Sequence, residues 1–124
     1  MKKLIFAAFL ILPAGTVFAD NCDAPDLTGF DRIYCLRKVY FGHDDRLNKN
    51  YKTLRGFLNS GDRNTLKTAQ LNWIDKRNAM CMVDPDTVNV RCALNTTRDR
   101  ADFLQARIVE CQTVGCQRSK LTIY

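Results

Sequence analysis

Apolar residues recur at Ile33, Leu36, Tyr40, Leu47, Tyr51, Leu54 and Leu58. Intervals of three, four and seven predict a long amphipathic helix with one face turned inward. Thr28 followed by Asp31 has the spacing of an N-terminal capping pair, with Asp in place of the longer Glu. Gly42, ahead of His43-Asp44-Asp45, predicts a bend or break, and Asn59-Ser60-Gly61-Asp62 predicts a stop. A second helix, capped by Asn64 or Thr65, carries Leu66, Gln70, Trp73, Ile74, Arg77 and Cys81 at helical spacing. Asp84-Pro85-Asp86 ends it and opens a connector through Arg91. A third helix is expected over residues 93–111, with Leu94, Ala101, Leu104 and Ile108 on one stripe. Residues 112–124 contain Gly115 and show little pattern. Short connections make successive helices antiparallel neighbours, so the predicted fold is all-α: a small antiparallel three-helix bundle.

The first residues follow a different logic. Lys2 and Lys3 precede an apolar run over residues 4–12, then Pro13-Ala14-Gly15 and Val17-Phe18-Ala19. That order is that of a secretory signal with a small-residue cleavage site. The run falls short of the ~20 residues that span a bilayer. The expected organisation is a signal peptide over 1–19 and one helical domain over 20–124, periplasmic or secreted, with no stable membrane insertion after cleavage.

All six cysteines (Cys22, Cys35, Cys81, Cys92, Cys111, Cys116) follow that segment. An even count in an exported domain predicts disulfides that cross-link the bundle. A zinc site would need close Cys pairs or several His, and His43 is the single histidine. Cys111 and Cys116 suit a short tail loop. Cys22 and Cys35 can join only if Cys22 precedes the helix, because thirteen helical residues would separate them by ~20 Å. The remaining pairing among Cys22, Cys35, Cys81 and Cys92 stays open, with all four expected at the end away from Gly61. An antiparallel register about Gly61 brings Cys81 near the level of His43.

The chain carries +6, and +4 without Lys2 and Lys3. Arg37, Lys38, Arg46, Lys49, Lys52 and Arg55 are dispersed as on a solvated helical face. Together with export, this excludes nucleic acid as a partner. Catalytic chemistry finds little support. Ser60 and Ser119 lack a nucleophile-elbow setting, and paired cysteines leave no thiolate. Glu110 is the only glutamate, so facing carboxylates for glycoside hydrolysis are not evident. His43 reads as a structural residue rather than a ligand or pH switch, and Asp84-Pro85-Asp86 as a turn rather than a calcium loop. No cofactor or metal is implied.

Gln70, Trp73, Arg77 and Cys81 fall on one stripe, and Leu47-Asn48 and Tyr51 should face them across the antiparallel pair. The structural reading buries the indole, has Gln70 and Asn48 satisfy buried polar groups, and stacks Arg77 or binds it to carbonyls. Leu47-Asn48, Tyr51, Gln70-x-x-Trp73-Ile74-x-x-Arg77-x-x-x-Cys81, and Cys92 followed by Thr97 and Arg98 together resemble the LprI-type lysozyme inhibitor family. The resemblance runs from about Cys22 to Leu104. It departs in residues 84–91, where the family has a more Gly- and Ser-rich connector, and in Cys111 and Cys116, which look like an extra pair. It implies a small exported helical binding protein whose partner is a protein, a lysozyme or another muramidase, blocked by cleft occlusion. Arg63 and Arg91 are the candidate plugs for a carboxylate-lined cleft. The alternatives are a non-inhibitory structural, accessory or virulence-associated envelope protein, and an immunity protein against a cell-wall toxin. Common animal lysozymes are strongly basic, so long-range steering of this basic chain favours a less basic target.

Overall fold

A computed structural model describes residues 21–124; the proposed signal peptide and the start at Asp20 lie outside the described residues. The chain is all-α, with three long helices: α1 (Gly29–Gly56), α2 (Ser60–Cys81) and α3 (Val90–Thr113). A two-strand hairpin, β1 (Met82–Asp84) and β2 (Thr87–Val88), joins α2 to α3, and a 3-10 turn, Arg118–Thr122, closes the chain.

Local chemistry sets the boundaries. Thr28 caps α1, its hydroxyl accepting from the Asp31 amide and donating to the Asp31 carboxylate at 2.6 Å. The helix passes through Gly42 without interruption, against the predicted bend. A side chain at Gly42 would meet nothing within 4 Å, so the glycine is an exposed helical residue and not a hinge. The turn lies at residues 57–59, earlier than predicted. Asn59, rather than Asn64 or Thr65, caps α2 by accepting from the Asp62 amide at 2.8 Å. Asn89 caps α3 through the Cys92 amide, so this helix starts three residues before the expected Ala93. Asp84-Pro85-Asp86 turns the chain as anticipated, but inside a hairpin that the sequence pattern did not reveal.

α1 and α3 make the closest pairing in the bundle. Ala93, Thr97 and Ala101 lie at four-residue steps on α3 and are all buried. Side chains this small let two backbones approach. The Asn50 amide then reaches across to donate to the Ala101 carbonyl at 3.0 Å, and Arg46 pairs with Asp102 at 2.7 Å. α2 packs on α3 and on the tail. The weakly patterned tail is therefore ordered. Gly115 takes a φ of +103° that an L side chain resists, and its N–H closes on the Glu110 carbonyl at 2.8 Å. This turns Leu121 back into the core beside Leu54, Leu58, Leu66, Leu104 and Ile108.

Three disulfides cross-link the bundle: Cys22–Cys35, Cys81–Cys92 and Cys111–Cys116. Cys22 precedes α1, as the distance argument demanded. The first two bridges lie at the end away from the α1–α2 turn, and the Arg91–Asp23 ion pair at 2.6 Å ties their segments together.

Candidate functional site

α2 runs antiparallel to α1, and a groove of about 500 Å³ lies between them. The turn centred near Leu58, not Gly61, sets its register. Tyr51 and Lys67 line one stretch of it and Tyr40 and Arg77 the other, and Cys81 lies beyond them in a depression it shares with Arg37, Tyr40 and Phe41, past the expected level of His43. Leu47, Asn48, Tyr51, Gln70, Trp73 and Arg77 all line this groove. Leu47 and Trp73 belong to the core. Asn48 is exposed and donates only a long bond, 3.4 Å, to Asp44, so the buried amide of α1 is Asn50 instead. Arg77 stacks on the Trp73 ring at 5.1 Å and binds the Asn78 side chain. Arg98 stands apart on α3, paired with Asp99, its carbonyl 3.5 Å from Arg46.

Sequence reasoning missed Arg100. This buried cation donates from Nε to Gln70 Oε1 at 2.9 Å and from Nη1 to the Ile123 carbonyl at 2.7 Å. It also lies over the Phe103 ring at 4.8 Å. Its Nη2 has no hydrogen-bond partner among the described residues. Burial pulls the guanidinium down to about 10, still cationic at neutral pH. The signal was present: Arg100 lies three residues after Thr97 and four before Leu104, on the inward stripe.

Beyond the groove, past Tyr40 and Arg77, a second depression of about 310 Å³ opens between α1, the end of α2 and the hairpin, with Met82, Val88, Val90 and Arg37 on its walls. It continues onto the first three turns of α1. There Phe30 is 90 % exposed, Tyr34 71 %, and Ile33 and Phe41 54 % each, with Arg37 and Lys38 between them. Val83 on the hairpin is 71 % exposed. Small proteins seldom leave this much contiguous apolar surface in water without a partner to cover it. The lining of both depressions contains arginine or lysine and no carboxylate. Negative charge flanks this surface at Asp31 in the first turn of α1 and at Asp44 and Asp45 beyond Phe41; at the hairpin tip, Asp84 accepts from the Asp86 amide. Ile33, predicted to face the core, belongs to this exposed face.

The two candidate plugs sit at opposite ends of α2. Arg63 is exposed beside the α1–α2 turn and donates to the Arg55 carbonyl at 2.9 Å, closing the end of α1. Arg91 is next to the apolar face and engages Asp23 with both terminal nitrogens. One contact surface cannot hold both. His43 is half-buried in α1; burial first, then Arg46 and Arg98, push its imidazole below the ordinary value, with Asp102 opposing. Glu110 lies far along α3 with both oxygens occupied by Arg107 and Lys120, at 2.7–2.8 Å. Those bonds, Lys120 foremost, hold its carboxyl ionised below the usual range against some desolvation. Among the described residues, no cluster of three metal-ligating side chains occurs. Nor is any helix long and apolar enough to cross a membrane.

The family model described as Lysozyme inhibitor LprI matches residues 22–104, well over half of the chain. The chain belongs to the LprI lysozyme inhibitor family. The LprI match begins at the first disulfide cysteine and covers the groove, the hairpin and the exposed apolar face, and ends before Cys111–Cys116 and the returning tail. It describes an inhibitor family rather than a catalytic one. No curated protein and no solved structure matches the chain.

Proposed function

We propose that this LprI protein is exported to the periplasm or beyond and inhibits a lysozyme or another peptidoglycan-cleaving enzyme by occluding its cleft. The observation that carries this reading is the apolar, cationic face built from Phe30, Ile33, Tyr34, Arg37 and Phe41 with the hairpin residues Met82 and Val88. A peptidoglycan-cleaving cleft offers apolar sugar subsites around catalytic carboxylates. Exposed aromatic rings interleaved with guanidinium and ammonium groups complement both features. An inhibitor of this kind performs no chemistry; it loses little entropy on binding because its contact surface is already fixed. Two disulfides and the Arg91–Asp23 pair fix this surface. Arg91, exposed and bonded to Asp23, stands at the same end of the bundle as this face, whereas Arg63 closes the other end at the Arg55 carbonyl.

The test titrates purified oxidised protein into peptidoglycan hydrolysis by several muramidases, at low and at moderate salt, with reduced protein as control. The expected result is stoichiometric suppression of at least one enzyme, weakened by salt for an acidic target and by reduction for any target. Unchanged turnover of every enzyme at a large molar excess rejects the reading.

A further inference from the structure

Positive charge enters the lining of the apolar face at Arg37, Lys38 and Arg77, and these three differ in what they already hold. Arg77 lies over the Trp73 ring at 5.1 Å and binds the Asn78 side chain. Lys38 is engaged within the chain. Arg37 is exposed and lines both depressions, yet it makes no side-chain hydrogen bond, ion pair or ring contact among the described residues. The other arginines, Arg32 excepted, each hold a carboxylate, a carbonyl, a side-chain amide or an aromatic ring. Arg32 is exposed but lines neither depression.

Helix geometry explains why Arg37 stays unpaired. Side chains that meet on an α-helix stand three or four residues apart. For Arg37 these are Ile33, Tyr34, Tyr40 and Phe41, none of them a carboxylate. Asp31 and Asp44 stand ~9 and ~10 Å away along the axis, where Asp31 holds Thr28 and Asp44 accepts from Asn48. A guanidinium set among apolar side chains gains most from a planar oxyanion: its fork meets two oxygens, and the surrounding contacts exclude water. Acidic residues at both ends of the stripe oppose a broadly acidic surface. The combination selects a single recessed carboxylate rather than a field of negative charge. We infer that Arg37, and neither Arg63 nor Arg91, is the plug: its guanidinium pairs with a catalytic carboxylate of the enzyme while the aromatic side chains around it seal the cleft. This rests on the inhibitor reading and names the residue and the partner group through which inhibition acts. Affinity then depends on one local pair more than on the net charge of the target.

The full oxidised protein is titrated by calorimetry into a muramidase that it inhibits, and into two altered forms of that enzyme. In each form one of the two catalytic carboxylates is replaced by its amide. Arg37 is exposed and unbonded, so its variants should melt with the parent. Arg37→Ala is expected to weaken binding to the unaltered enzyme at least tenfold. Arg37→Lys loses an intermediate factor, since the charge remains without the fork. Against one of the two amide forms, Arg37→Ala loses less than threefold, which identifies the paired carboxylate. Arg32→Ala stays within twofold of the parent on every form. Parent-like binding of Arg37→Ala, an equal loss against all three enzyme forms, or an equal loss from Arg32→Ala overturns the inference and leaves inhibition itself standing. A parent protein that inhibits no muramidase removes the reading beneath it as well, so the two failures are distinguishable.

Discussion

The two ends of the bundle are held together by different physics. At the α1–α2 turn, Leu54, Leu58, Leu66, Leu104, Ile108 and Leu121 form a leucine-rich core, and the returning tail covers it. At the opposite end, few residues are buried beyond Cys22, Cys81, Ala93 and Leu94, and the large apolar side chains point outward. One end is stabilised by burial and the other by covalent restriction of the unfolded chain. A protein that spends its aromatic residues on a partner cannot also bury them in its own core. Disulfides ease that conflict: Cys22–Cys35 pins the lead-in to α1, and Cys81–Cys92 pins the end of α2 to the start of α3 across the hairpin.

This contrast can be broken from either side. The largest expected effect comes from the packed end. Leu104→Ala, fully buried, should cost about 2–5 kcal/mol in denaturant unfolding. The folded fraction should nevertheless inhibit as the parent does. At the locked end, replacing Cys22 and Cys35 with Ala should cost about 2–4 kcal/mol. Here inhibition should fall with stability, and amide exchange should accelerate in the first turns of α1 while residues 54–58 stay protected. Gln70→Ala removes the partner of a buried guanidinium and should cost about 1.5–3 kcal/mol. On the exposed face, Phe30→Ala should change stability by no more than about 0.5 kcal/mol.

The smallest effect concerns pH. His43 has its value lowered on folding, so the folded state resists protonation. Stability is therefore unaffected above the unfolded value and declines as pH falls from there through the lowered one. His43→Gln should flatten that decline in thermal melts between pH 7 and 5. At lower pH the Glu110 carboxyl acts in the same direction, because protonating it breaks its bonds to Lys120 and Arg107.

Much of this was legible in the sequence, for identifiable reasons. Hydrophobic period indicates the three helices and their order, and Thr28 with Asp31 indicates the start of the first. The even cysteine count gave the cross-linked bundle, and distance alone constrained Cys22 and Cys35. Errors arose where local signals compete. Asn59, Asn64 and Thr65 are all competent caps, and the first one won because Leu58 is drawn into the core. Gly42 lowers helix propensity, but the α1–α3 contact overrides one glycine. Asn48 and Asn50 are two residues apart, and a small error in helix phase exchanges the exposed amide for the buried one. Ile33 fits the inward stripe by period yet is exposed, because periodicity shows that a face is apolar without showing what covers it. The exposed face was hidden for that reason, and the groove was hidden because motif spacing does not show that α1 lies closer to α3 than to α2.

On the proposed reading, the covalently braced aromatic face, and no other part of the surface, engages the enzyme. It is tested most directly by comparing oxidised parent protein with a Phe30→Ala, Arg37→Glu, Phe41→Ala variant in complex formation with an inhibited muramidase, after circular dichroism shows matching melts. Affinity should fall a hundredfold or more with the melting temperature nearly unchanged. Retained affinity in that variant would contradict it.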